Sequence, residues 1–206
     1  MESQITLVDP SLLNQGQIVL VFDKDSMKNA TISLNETRRP LYTIHTNRDH
    51  DRTEVRSVYS DTPLAVITRS TFFPDKVSLR GAEPVRLGRW LKTHGTSEFP
   101  ITIEVEGRNY LWRTNAIHQL ALFAEDDPYT PLAWFIKARR TPSGITSPPY
   151  FVLTPEIDEI RDDIVASLVV VEQKVRMVVK HELLAINIGI AKGRSGLPEA
   201  APTGSF

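Results

Sequence analysis

The chain has no cysteine in 206 residues, which excludes disulfide staples, thiolate nucleophiles and cysteine-ligated zinc together. It also lacks charge of one sign. Lys and Arg number 24 against 25 Asp and Glu, a formal net charge of −1. Nothing therefore draws it to nucleic acid over long range, and no nucleic-acid partner is expected. The apolar run Ile164 to Val171 is stopped by Asp163 and Glu172, well short of the roughly 20 residues of a membrane-spanning helix. MESQITLVD at the amino end carries no basic segment, and Ile18 to Phe22 is too short and too deep for a secretory signal. A cytoplasmic protein is expected, with the nucleus or a peripheral place at a membrane as alternatives. There is no G-x-S-x-G elbow, no phosphate-binding P-loop and no dinucleotide glycine fingerprint. His181-Glu182 opens like a zinc-protease helix, but Ala185 stands where the second histidine belongs. No catalytic set and no cofactor is expected.

What is present is an ordinary globular composition, 41% hydrophobic and 24% charged, of a size that fits one domain. Short runs rich in Val, Ile, Thr and aromatics alternate with Gly, Pro, Asn and Asp clusters, which is the pattern of a strand meander. The strands are expected at 17–22, 30–34, 41–46, 53–59, 64–70, 76–79, 101–106, 109–114, 118–124, 132–139 and 149–153. Period-2 alternation is clearest in Ile101, Ile103 and Val105 against Thr102, Glu104 and Glu106, with Gly107 supplying the turn. Arg86 to Thr93 reads as a short helix or turn crossing a sheet edge.

After Leu153 the period changes. Thr154, Pro155 and Glu156 stand in the order of an N-cap, a first-turn proline and a first-turn acid. Ile157, Ile160, Ile164, Leu168, Val171, Val175 and Val178 then recur at helical spacing, acids crowding the first turns and Lys174, Arg176 and Lys180 the last. A helix is predicted over about 155–180. Its centre, Ile164 to Val171, is apolar around the whole circumference, so it must be enclosed on every side. The competing reading is that the valines form a strand. With a helix, the fold class is α+β, mainly β: a closed antiparallel β-barrel around a buried carboxy-terminal hydrophobic helix. The organisation expected is an amino-terminal extension over 1–15, one barrel domain over 16–191 with Leu183 to Ile190 as its last element, and a disordered tail over 192–206.

One set of motifs resembles a known family: Asp75-Lys76-Val77-Ser78-Leu79-Arg80-Gly81, Val85-Arg86-Leu87 leading to Trp90-Leu91-Lys92, Gly107-Arg108-Asn109-Tyr110-Leu111-Trp112-Arg113, the Pro131-Leu132-Ala133 strand, and the Asp158 to Arg176 helix with Val171-Glu172-Gln173-Lys174. In this order they resemble a fungal domain family of unknown function found in mushroom-forming species. That family is similar in shape to the tubby C-terminal, LURP-one-related and phospholipid-scramblase superfamily. The resemblance implies a barrel of about twelve strands around a carboxy-terminal helix. It also implies, as one option, recognition of phospholipid or phosphoinositide headgroups by a Lys and an Arg alternating on a strand.

Lys137-Ala138-Arg139 has that alternating form. With Arg113 and Arg140 it makes the candidate anion-binding face, since guanidinium forks grip phosphate in bidentate geometry. The other reading of these residues is scattered solubilising charge. His45, Asp49, His50 and Asp51 could reach one divalent ion, or be a solvated hairpin loop. Glu125-Asp126-Asp127 reads as an exposed turn. Trp90, Trp112 and Trp134 could line a ligand pocket and more simply form core. The expected function is a non-enzymatic binding module for a phospholipid headgroup. The alternatives are a protein-interaction or structural module, or an enzyme in which His118 or His45 stands beside an acid.

Overall fold

The computed structural model describes residues 16–93, 98–115, 119–140 and 146–194. The expected extension over 1–15, the tail beyond 194 and His118 lie outside the described residues, as does the side chain of Arg140. The meander is present. Its first half comprises β1 (Ile18–Phe22), β2 (Asn29–Leu34), β3 (Pro40–Thr46), β4 (Arg52–Ser57), β5 (Ala65–Thr68), β6 (Lys76–Leu79) and β7 (Val85–Arg86). A single helical turn, α1 (Leu87–Trp90), leads to β8 (Leu91–Thr93), β9 (Ile101–Val105), β10 (Arg108–Thr114), β11 (Leu120–Ala124) and β12 (Pro131–Ile136). A small ribbon of β13 (Arg139–Arg140) and β14 (Thr146–Ser147) precedes β15 (Tyr150–Leu153) and the long helix α2 (Arg161–Arg194).

Thirteen strands form one antiparallel sheet in the order β7-β6-β5-β4-β3-β2-β1-β15-β12-β11-β10-β9-β8. Every junction in the two halves is a neighbour-to-neighbour hairpin. β9 and β10, for example, are joined by Glu106 and Gly107 at φ 51° and 75°, the doubly left-handed turn that follows strand twist. The two edges, β7 and β8, are not hydrogen-bonded to each other, so the closure expected from sequence is not made by a ladder. They are nonetheless consecutive in the chain, separated by α1 alone. Laid flat, thirteen strands would put their edges about 58 Å apart, whereas five residues from Arg86 to Leu91 reach at most about 18 Å. The sheet therefore curls back on itself. Arg86 to Thr93, expected as one short helix or turn crossing the sheet edge, contains that turn as α1, with Arg86 ending β7 and Leu91–Thr93 forming β8.

What the curl encloses is α2. From Ile164 to Glu172 every residue is buried; at 3.6 residues per turn these positions sample every direction around the axis. A helix lying on one open sheet would show a polar stripe to water. The strand reading of the valines is thus replaced by an enclosed helix. Trp112 on β10, fully buried, donates from Nε1 to Ser167 Oγ at 3.0 Å and ties the sheet to the middle of α2. Its indole packs 6.2 Å from the ring of Phe151. A second, smaller cluster of Ala121, Phe123, Trp134, Ile136 and Val152 is buried on the outer side of β11, β12 and β15. All three tryptophans are buried.

Several boundaries differ from expectation: the strands expected over 53–59 and 64–70 run Arg52–Ser57 and Ala65–Thr68, and the larger differences lie around α2 and β12. Pro155–Ile157 is a 3-10 turn, Thr154 makes no side-chain cap, and α2 starts at Arg161. The 3-10 turn already buries Ile157 in the main core, and the helical hydrogen-bond ladder starts with Ile164 N–H to the Ile160 carbonyl at 3.2 Å. At the other end α2 runs unbroken through Leu183 to Ile190 as far as Arg194, so no separate last element forms, and the helix enters the segment expected to be tail. Finally, the strand expected over 132–139 stops at Ile136.

Candidate functional site

α2 gives the molecule two distinct ends. At the proximal rim, where it enters, Asp162 accepts from Tyr42 Oη at 2.6 Å, Arg161 Nε donates to the same hydroxyl at 3.0 Å, and Arg80 grips Asp163 through two 2.7 Å bonds. Burial, reinforced by Asp162, pushes the Tyr42 hydroxyl well above its ordinary pKa. The proximal rim also carries a cleft of about 640 Å³ lined by Glu125, Asp126, Asp127 and Glu156 beside Arg108. Two of its acids have structural partners: Asp127 Oδ1 accepts the amides of Tyr129 and Thr130, and Glu125 accepts Asn109 Nδ2 at 2.9 Å. The turn reading of this segment fits that geometry.

At the distal rim, where α2 leaves, Glu172 is fully buried. Its Oε1 accepts from Arg176 Nε at 2.8 Å and lies 3.8 Å from Lys137 Nζ, while Oε2 has no hydrogen-bond partner. Burial raises the Glu172 pKa above its ordinary value, with Lys137 and Arg176 opposing. Arg69 and Met27 hold Gln173 at the same level, and Arg176 reaches Asp25.

The residues singled out from sequence are scattered. Arg113 on β10 lies 5.2 Å over the ring of Phe123 and donates to the Pro128 carbonyl at 3.0 Å, roofing the outer apolar cluster. Lys137 follows the end of β12 and turns inward to Glu172, while Arg139 stands on β13, so the two do not share a strand. His45, Asp49, His50 and Asp51 fall on β3 and its hairpin loop, where Asp51 is taken by Asn47 Nδ2 at 2.6 Å. Among the described residues no three His, Asp or Glu side chains converge on a metal position.

The structure assembles a different set. Strand pairing puts Arg52 opposite Thr68, Thr68 opposite Lys76, and Lys76 opposite Arg86. These four residues form one row across β4, β5, β6 and β7. The alternate residues Thr53, Ile67 and Val77 are buried, so the row lies on the outer face. Arg52, Thr68, Lys76 and Arg86 are all exposed. Directly opposed like charges weaken a sheet, yet neither Lys76 nor Arg86 has an ion-pair partner among the described residues. Arg52 is held by Glu54, which also takes Arg56 at 2.6 Å. Burial pushes the Glu54 carboxyl upward, but hydrogen bonds from Arg56 and Arg52 outweigh it and hold the pKa below the ordinary carboxylate value. Glu54 thus orients two guanidiniums while cancelling one of their charges. Arg52, Arg56, Lys76, Thr68 and Ser78 line a groove of about 410 Å³ together with Pro63, Val66, Gly81 and Pro84, so that cations and hydroxyls stand on an apolar floor with no histidine or free carboxylate. Such a wall suits an anion rich in acceptor oxygens.

A family model described as a family of unknown function (DUF6593) matches residues 25–177, most of the chain. The chain belongs to that family. No curated protein matches it in sequence. Among solved structures, the DUF6593 chain is similar to a protein from Arabidopsis thaliana determined by X-ray crystallography. That likeness has 12% identity and a TM-score of 0.45, over 81% of this chain and 96% of the plant protein. No helix in the DUF6593 domain, among the described residues, is long and apolar enough to cross a membrane.

The matched segment contains the whole cation row. Its signal was present in Lys76-Val77-Ser78, where alternation puts Lys76 and Ser78 on the outer face. The row appears only when the registers of three hairpins are known, and a one-residue slip in any of them would send a cation inward.

Proposed function

We propose that this DUF6593 domain is a non-enzymatic binding module that recognises a phosphate-bearing headgroup at the Arg52–Thr68–Lys76–Arg86 row. The observation that carries the reading is the direct apposition of Lys76 and Arg86, two exposed cations with no acid between them. Two like charges set side by side on adjacent strands cost stability, and an anion bridging them would reverse that sign. Arg52, pre-oriented by Glu54, and the Thr68 hydroxyl extend the same surface along the groove. The absence of a recognisable catalytic set in the sequence supports binding over turnover. The closed barrel and the kinship with the tubby, LURP-one-related and scramblase superfamily belong to this reading as its finer form.

The test is calorimetric titration of the whole chain with a soluble inositol polyphosphate, comparing wild type with Lys76→Ala/Arg86→Ala. Removing two charge-assisted contacts, each worth about 1.5–3 kcal/mol, should weaken binding by at least about a hundredfold. Equal affinity in the two proteins, or no binding to wild type, refutes the assignment.

A further inference from the structure

The loop between β5 and β6 joins two members of the cation row, Thr68 and Lys76, and carries Phe72 and Phe73 at its tip. These rings are 90% and 72% exposed in a chain whose other large apolar side chains are mostly buried. Their exposure is built in. The Ser70 hydroxyl accepts both the Phe72 and Phe73 amides, at 3.3 and 3.1 Å, and Asp75 Oδ1 accepts the Ser70 amide at 3.3 Å. Below the tip, Arg69 is anchored to Thr53 Oγ1 at 3.0 Å and to Gln173 of α2. The tip cannot turn back into the core without breaking these bonds. Phe73 and Lys76 are three residues apart, hence within about 10 Å. Two exposed rings thus stand on a fixed loop with one cationic foot, Lys76, and the other, Thr68, beside Arg52 on β4, on the shoulder between the outer face of β4–β7 and the distal rim.

Resting on the headgroup reading above, we propose that Phe72 and Phe73 are an insertion tip that seats this shoulder on an anionic bilayer. The rings would enter the interfacial layer while Lys76, Arg86 and Arg52 meet phosphates at its surface. Charge complementarity selects a bilayer as the occupant. A protein pocket for two phenylalanines would not require three cations at their base, whereas a surface of phosphate headgroups over hydrocarbon supplies both layers in the order the loop presents them.

The chain has no cysteine, so Phe72→Cys accepts a single environment-sensitive fluorophore. Tyr129→Cys, 84% exposed at the proximal rim, serves as the control. Both are mixed with phosphatidylcholine vesicles, with and without phosphatidylinositol bisphosphate. The expected result is a blue shift at position 72 on the anionic vesicles alone and none at 129. In co-sedimentation, unlabelled Phe72→Ala/Phe73→Ala should lose about tenfold or more in vesicle affinity while binding the soluble inositol polyphosphate like wild type. Soluble binding with no shift at 72, or with undiminished vesicle binding by the double variant, overturns insertion and leaves the headgroup site standing. No binding to either probe overturns both. A shift at 72 that follows protein concentration without vesicles means the tip meets a second copy, and overturns the bilayer.

Discussion

Enclosure of α2 on all sides makes a prediction in which the sign of an effect is diagnostic. Val169, Val170 and Val171 are buried and project about 100° apart around the helix axis. On a helix lying against a single sheet at least one of them would face water. There, Val→Ala would stabilise by up to about 0.5 kcal/mol, because alanine is the better helix former. In the enclosed helix each substitution removes two buried carbons, worth about 0.8 kcal/mol apiece, and leaves a cavity. Set against the propensity gain, the net cost is about 1 to 2 kcal/mol at all three positions. Equilibrium urea denaturation reads this as a lower midpoint at unchanged slope, by about 0.5 M. Met177→Ala, at a position 55% exposed, should stay within about 0.5 kcal/mol of wild type. A neutral or stabilising result at any of the three valines would refute the enclosure.

Ser167→Ala should cost about 1–3 kcal/mol in the same assay, since it strands the buried Trp112 indole N–H; a cost under about 0.5 kcal/mol would show that the indole N–H donates to another acceptor. Glu172 gives a pH dependence. Its folded pKa is raised by burial, so the native state holds the proton more tightly than the unfolded chain. Its contribution is fully present below the unfolded value and is lost as pH rises through the folded one. The stability of wild type minus that of Glu172→Gln should therefore fall as pH rises from the ordinary glutamate range, measured by urea denaturation at a series of pH values. A difference that rises with pH would mean that Lys137 and Arg176 overcome desolvation.

Legibility of the fold tracked the range of the interactions. The strands were readable because alternation is a local property: β6 lies at Lys76–Leu79 as expected, and β9 and β10 shift by a single residue at one end. The helix and its enclosure were readable because the eight residues Ile164 to Val171, with Ser167 their one polar member, leave no room for a polar face. The start of α2 was not, because Thr154 and Pro155 describe a local helix start while the chain first makes the 3-10 turn that buries Ile157. Lys137 was assigned to an outer face because a continuing strand would have kept it with Arg139. β12 instead ends at Ile136, just before Lys137, and a buried carboxylate 35 positions downstream captures the ammonium. The cation row was illegible for the same reason in reverse: its members are far apart in sequence and meet only through register.

Placing α2 after all of the strands has a consequence for synthesis. During translation at about 5–20 residues per second, β1 is made roughly 8–30 s and β15 only about 1–4 s before the last buried turn of α2. Until then the apolar inner faces of the strands have nothing to pack around, and the two halves of the sheet are joined only when β15, between β1 and β12, has been made. This protein can complete its core only once its carboxy-terminal helix has left the ribosome.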